Sequence, residues 1–83
     1  MSKFSDETLD KVWNNAKPIG GKDPSLYRQD IYGNEMYKRS YGLQSEKGWT
    51  IDHKKPQAKG GSDNLRNLQA MNWRANIQKS DNY

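Results

Sequence analysis

Apolar residues are sparse in this chain, and their spacing changes along it. Leu9, Val12, Trp13 and Ala16 recur at intervals of three and four, the period of one helix face. Ser5 stands before them as a capping side chain, and Asp6 and Glu7 put negative charge at the positive helix end. Pro18 and Gly20-Gly21 stop the pattern. A first helix is therefore expected from about residue 5 to 16, as a packing element, followed by a turn-rich connection over residues 17–24. Over residues 27–32 and 35–39 aromatic positions alternate with polar ones around Gly33-Asn34, which predicts a short β-hairpin. Residues 41–48 read as a polar loop.

Trp49, Thr50 and Ile51 open a strand running to about residue 54, and Pro56 closes it. The run Gly60-Gly61-Ser62-Asp63-Asn64 excludes regular structure from the following loop, residues 57–66. Leu68 and Ala70 alternate with Gln69 in a second short strand. Asn72 then caps a final helix to about Lys79, expected to bury Ala75 and Trp73. The C-terminal order is strand, loop, strand, helix, within an α+β fold. Without repeats or a long linker, residues 1–83 read as one domain, with 1–26 as a helical extension.

Composition limits how such a fold can hold itself together. A chain of 83 residues buries roughly 60% of its unfolded surface. With 31% hydrophobic residues and a mean hydropathy of −1.30, its core is small. Three Trp and five Tyr supply the missing area, because large rings bury much surface per residue. The absence of cysteine excludes disulfides and thiolate zinc sites. No apolar run resembles a signal peptide or a membrane span, so a cytoplasmic location is expected. The net charge of +4 suits a polyanionic partner without requiring one.

Candidate chemistry gathers at the C-terminal end. His53, the only histidine, directly follows Asp52; Asn67 lies fourteen residues on and Asn76 nine beyond that. Phosphodiester hydrolysis needs an activated water, charge stabilisation at phosphorus and help for the leaving 3′ oxygen. A histidine suits the first task, because imidazole is largely neutral and basic at pH 7. A hard divalent cation suits the other two and takes oxygen ligands, which Asp52 and Asn76 can supply. Neighbours on a strand face opposite ways, so Asp52 and His53 share one site only with a local twist or bulge. Each residue alone has an ordinary reading: a surface histidine, loop and helix-end asparagines, a plain glycine turn.

Together the pieces closely resemble the HNH endonucleases of the ββα-metal superfamily. The shared features are Asp52-His53, Pro56, Gly60-Gly61, Asn67-Leu68 and Asn76-Ile-Gln-Lys79-Ser-Asp81, within residues 49–82. Their spacing is also similar to the HNH domain of RNA-guided CRISPR nucleases. Arg28-Gln-Asp30-Ile-Tyr-Gly33 looks like the Arg-x-Asp-x-x-Gly stretch that often precedes this motif. The resemblance implies a ββα-metal core over about residues 49–80, preceded by the hairpin and the N-terminal helix. It implies His53 as general base, Asp52 and Asn76 as ligands of one divalent cation, and Asn67 as a structural residue that positions His53. Lys79, with Lys54, Lys55, Lys59 and Arg74, would meet DNA phosphates; each of these cations reads equally well as part of a solvated face.

The chain departs from many relatives in two respects. It lacks the Cys-x-x-Cys pairs of a structural zinc, so the hairpin and helix are expected to join by packing through Tyr32, Met36, Met71 and Trp73. Asn76 stands where many relatives have histidine, which favours Mg²⁺ or Mn²⁺ over Zn²⁺ or Ni²⁺. Three functions stay open: a metal-dependent nuclease nicking double-stranded DNA, a non-cleaving or complex-dependent DNA-binding module, and a secreted nuclease toxin. A homodimer or a larger phage or restriction complex would supply double-strand cutting or sequence reading.

Overall fold

The computed structural model describes residues 4–81, so Asn82, the last residue of the resemblance, lies outside it, as does the side chain of Asp81. Helix α1 spans Asp6–Asn14, and Ser5 Oγ accepts the Thr8 N–H at 3.1 Å as its N-cap. Strands β1 (Lys17–Pro18), β2 (Tyr27–Gln29) and β3 (Glu35–Tyr37) form an antiparallel sheet in that order. Strands β4 (Trp49–His53) and β5 (Leu68–Asn72) pair antiparallel, from Trp49↔Asn72 to His53↔Leu68. Helix α2, Trp73–Asp81, follows β5 directly, and Asn72 Oδ1 caps it by accepting the Arg74 N–H at 3.0 Å. The chain is thus α+β, with a β4–β5–α2 unit at its C-terminal end.

The core lies between α1, the hairpin and one face of β4–β5. Val12, Trp13, Met36, Trp49, Leu68 and Ala70 are buried there, with Trp13 and Trp49 ring centroids 5.1 Å apart. Full burial of such side chains is worth about 1.5–3 kcal/mol each. All three indole N–H groups donate to loop carbonyls: Trp13 to Pro24, Trp49 to Lys38 and Trp73 to Ser45. The rings therefore anchor loops as well as fill space.

Several expected features take a different form. Lys17 and Pro18, expected in a turn, pair with β2 as a short edge strand. The hairpin closes at Gln29↔Glu35 around residues 30–34 instead of a tight Gly-Asn turn. The cause is Asp30, whose buried carboxylate organises that loop. Its Oδ1 accepts the N–H groups of Tyr32 and Asn34, and its Oδ2 accepts Asn34 Nδ2 and, across the fold, the Asn72 N–H at 3.1 Å.

That last bond joins the hairpin to the β5–α2 junction. Met36 and Met71 are both buried, but only Met36 belongs to the core cluster with Val12, Trp13 and Trp49. Tyr32 takes no part in the joint, being 62% exposed. Trp73 and Ala75 are only half-buried, because the core is filled from the opposite face of the sheet. Short 3₁₀ turns, Gln57–Lys59 and Leu65–Asn67, flank the glycine run expected to be wholly irregular.

Candidate active site

Strand alternation sends Thr50 and Asp52 toward α2, and Trp49 and Ile51 toward the core. On the α2 side, Asn76 Nδ2 donates to Thr50 Oγ1 at 2.7 Å. Gln69, paired across the sheet with Asp52, donates to Asp52 Oδ2 at 2.8 Å. Lys79 Nζ donates to the same Oδ2 at 2.6 Å and to the His53 carbonyl at 2.9 Å. The register runs unbroken to His53, so no bulge brings Asp52 and His53 to one face. They meet instead where the strand ends. A cleft of about 300 Å³ there is lined by Ile51, Asp52, His53, Pro56, Gln57, Asn76 and Ser80.

The loop between the strands is held by Asn67. Its Oδ1 accepts the Lys55 N–H at 2.7 Å, and its Nδ2 donates to the carbonyls of Lys55 and Ser62. Gly61 lies against the Lys55 carbonyl so closely that a Cβ would stand 1.8 Å from its oxygen. Two glycines thus do different jobs: Gly60 turns the chain with φ +90°, and Gly61 permits the close approach. The closed loop sets Asp63 beside His53, with Nε2 and Oδ1 2.7 Å apart. The His53 ring is largely covered, and Phe4 from the N-terminal segment packs 6.2 Å away.

Among the described residues, no three His, Cys, Asp or Glu side chains gather as a ready metal cluster. The donors that do line the cleft are hard oxygens. Asp52 Oδ2 carries both of that carboxylate's hydrogen bonds, so Oδ1 accepts none from the described residues. The Asn76 carboxamide donates to Thr50 through nitrogen, which leaves its oxygen as an acceptor. Two protein oxygens suit a small hard cation that keeps waters or substrate phosphate as its other ligands.

The basic residues divide into two sets. Lys79 is turned inward, 16% exposed, and neutralises Asp52 instead of standing on the surface. Arg74 stacks over the Trp73 ring, 5.4 Å from its centroid, on an exposed part of α2. Lys54 and Lys55 line an open groove of about 670 Å³ with Gly60, Gly61, Ser62, Asn64, Asn67 and Arg66. Lys59 is exposed at the end of the adjoining 3₁₀ turn.

Sequence reasoning missed Arg66, Asp63, Gln69 and Thr50. Gln69 and Thr50 were legible only as partners by register, once β4 and β5 are paired. Asp63 carried a weak signal, since an acid beside a glycine turn reads as turn chemistry.

Residues 40–82, just over half the chain, match the family model described as HNH endonuclease. No curated protein and no solved structure matches the chain significantly. The matched span begins before β4 and runs through α2, so it contains the whole cleft. Nucleases of this family generally use a divalent metal ion, and the domain carries a nuclease or DNA-binding role. With the family match spanning the β4–β5–α2 unit and its histidine-bearing cleft, the chain belongs to the HNH endonuclease family.

Proposed function

We propose that this protein is a DNA endonuclease that nicks duplex DNA, with Asp52 and Asn76 holding one Mg²⁺ or Mn²⁺ and His53 acting as general base. The observation that carries this reading is the single cleft at the end of β4 lined by Asp52, His53 and Asn76 together. A bound divalent cation supplies Lewis-acid stabilisation of the phosphate and of the departing 3′ oxygen. Asp52 and Asn76 offer it oxygen ligands from two different elements, β4 and α2. His53 takes a proton from the attacking water. Asn67 holds the loop against Lys55, so that the groove and the cleft keep one geometry.

The groove beside the cleft supports a path for the DNA backbone. Lys54, Lys55 and Arg66 make no ion pair with described residues, whereas Lys11, Lys22, Lys38, Lys47 and Lys79 all do. Three uncompensated cations on one concave surface suit successive phosphates and carry no base reading. Lys59 and Arg74 belong to the same reading as flanking phosphate contacts. One cleft cuts one strand; a homodimer or a larger phage or restriction complex would be needed for a double-strand break.

A specific observation favours a second reading, a DNA-binding module that cuts only within a complex or not at all. Lys79 already neutralises Asp52, which weakens that carboxylate's hold on a cation. Plasmid relaxation with Mg²⁺ or Mn²⁺ separates the two. Wild type is expected to nick, and His53→Ala to bind DNA without nicking. Equal relaxation by both proteins would remove His53 from the chemistry. Binding without relaxation by wild type would favour the second reading, and highest activity with Zn²⁺ would refute the hard-cation assignment.

A further inference from the structure

We propose that Asp63 is a positioning residue for His53, taking the imidazole Nε2–H on its carboxylate and leaving Nδ1 as the basic nitrogen. The inference rests on the nuclease reading above. The 2.7 Å separation of His53 Nε2 and Asp63 Oδ1 is that of a charge-assisted hydrogen bond. An ionised carboxylate only accepts, so the proton of the neutral ring lies on Nε2. Nδ1 then keeps its lone pair, and it makes no hydrogen bond with any described residue.

The geometry gives Asn67 a specific task. Its Nδ2 holds the Ser62 carbonyl at 2.8 Å, one residue before Asp63. With Gly61 pressed against the Lys55 carbonyl, the loop returns toward the end of β4. Gln57 Nε2 adds a longer bond to the same Asp63 oxygen, at 3.3 Å. The ring of His53 is thus fixed through a relay from Asn67 to the loop to Asp63, and Phe4 packs near it.

In the reaction, Nδ1 takes one proton from water as the water oxygen bonds to phosphorus. The bond from phosphorus to the 3′ oxygen breaks, and that oxygen leaves with the electron pair. His53 becomes an imidazolium, which the Asp63 carboxylate stabilises without itself taking the proton, as carboxylates paired with a basic histidine do elsewhere.

His53 is the chain's sole histidine, so nitrogen-15-labelled histidine reports one imidazole. In the wild-type protein, the Nε2 proton should be resolved at low field and exchange slowly with water. Asp63→Ala should lose that signal while keeping wild-type circular dichroism. Asp63→Asn, which retains an acceptor oxygen without the charge, should keep the proton at a smaller low-field shift. For plasmid nicking, Asp63→Ala should lower kcat by about ten- to a hundredfold, with KM for plasmid unchanged. Asp63→Asn should recover part of that loss.

Wild-type ring signals in Asp63→Ala, or a wild-type kcat, would overturn the assignment. Should Asp63→Ala fail to fold, Asp63→Asn against wild type decides by the same two readouts. If the wild-type protein does not nick at all, the nuclease reading fails; the proton signal still decides whether Asp63 holds the ring.

Discussion

Removing the Asp30 carboxylate should cost this protein a large share of its stability. Asp30 is 4% exposed and accepts four hydrogen bonds, three of them from backbone N–H groups. The donors differ in what replaces the carboxylate. Tyr32 and Asn34 lie on an exposed loop where water can reach their N–H groups, so each lost bond costs about 0.5–1.5 kcal/mol. The Asn72 N–H is buried, and leaving it unsatisfied costs about 1–3 kcal/mol. The expected loss for Asp30→Ala is therefore about 2.5–7.5 kcal/mol, against a total of roughly 4–12 kcal/mol for a chain of this length.

Asp30→Asn should be nearly as damaging, although it is isosteric. Its carboxamide oxygen can serve Tyr32 and Asn34, but its NH₂ then faces the Asn34 amide and the Asn72 N–H, donor against donor. Urea unfolding followed by circular dichroism measures both variants. With a slope of about 1 kcal/mol/M, the midpoint should fall by at least roughly 2.5 M for Asp30→Ala. Asp23→Ala, which removes bonds to Ser25 from an exposed turn, serves as the control and should barely move the midpoint. A loss below about 1 kcal/mol for both Asp30 variants, at unchanged slope, would refute the view that this carboxylate joins hairpin to helix.

Other residues yield further tests. Asn76→Ala should raise the Mg²⁺ or Mn²⁺ concentration needed for half-maximal nicking and lower the rate. It should still fold, since it gives up one side-chain bond, to Thr50, worth about 1 kcal/mol; loss of folding would make Asn76 structural. Arg66→Ala should weaken DNA binding alike for all sequences and reduce the slope of log K against log salt by about one; an unchanged slope would take Arg66 off the backbone path.

Hydrogen bonds from Lys22 and then Lys47 hold the Glu35 carboxyl below its ordinary range, outweighing the opposing effect of burial. Its folded-state value is depressed, so its stabilisation is complete above the unfolded glutamate value of about 4.3. It is lost as pH falls through the lower native value. Glu35→Gln should flatten acid unfolding in that window, and an unchanged profile would refute the coupling.

How much was legible beforehand depended on whether a feature is local. The period of Leu9, Val12 and Trp13, the Ser5 cap, the Asn72 cap and the strand–loop–strand–helix order are set by neighbouring residues, and the structure shows them all. The motif from Asp52 to Lys79 was readable as a motif. The Arg28-x-Asp30-x-x-Gly33 stretch was also visible, but its work was not. Arg28 donates to the carbonyls of Pro24, Asn14 and Ala16, and Asp30 reaches Asn72, so both braces depend on segments distant in sequence. Tyr32 was expected in the packing joint between hairpin and helix that stands in for a structural zinc. Its place on a loop curled around Asp30 turns it out.

By itself, the sequence determined the element order, the aromatic character of the core and the residues able to do chemistry, since periodicity, caps and side-chain types act over a few positions. Only the tertiary structure decided what those side chains meet. Lys79, read as a surface cation, is one turn of α2 beyond Asn76 and faces β4, so it closes on Asp52. Asp63, read as part of a turn, is carried to His53 by a loop whose path Asn67 and Gly61 dictate. Long-range partners follow from how strands, helix and loop stack, and that geometry arises from burial across the whole chain instead of from any short run of residues.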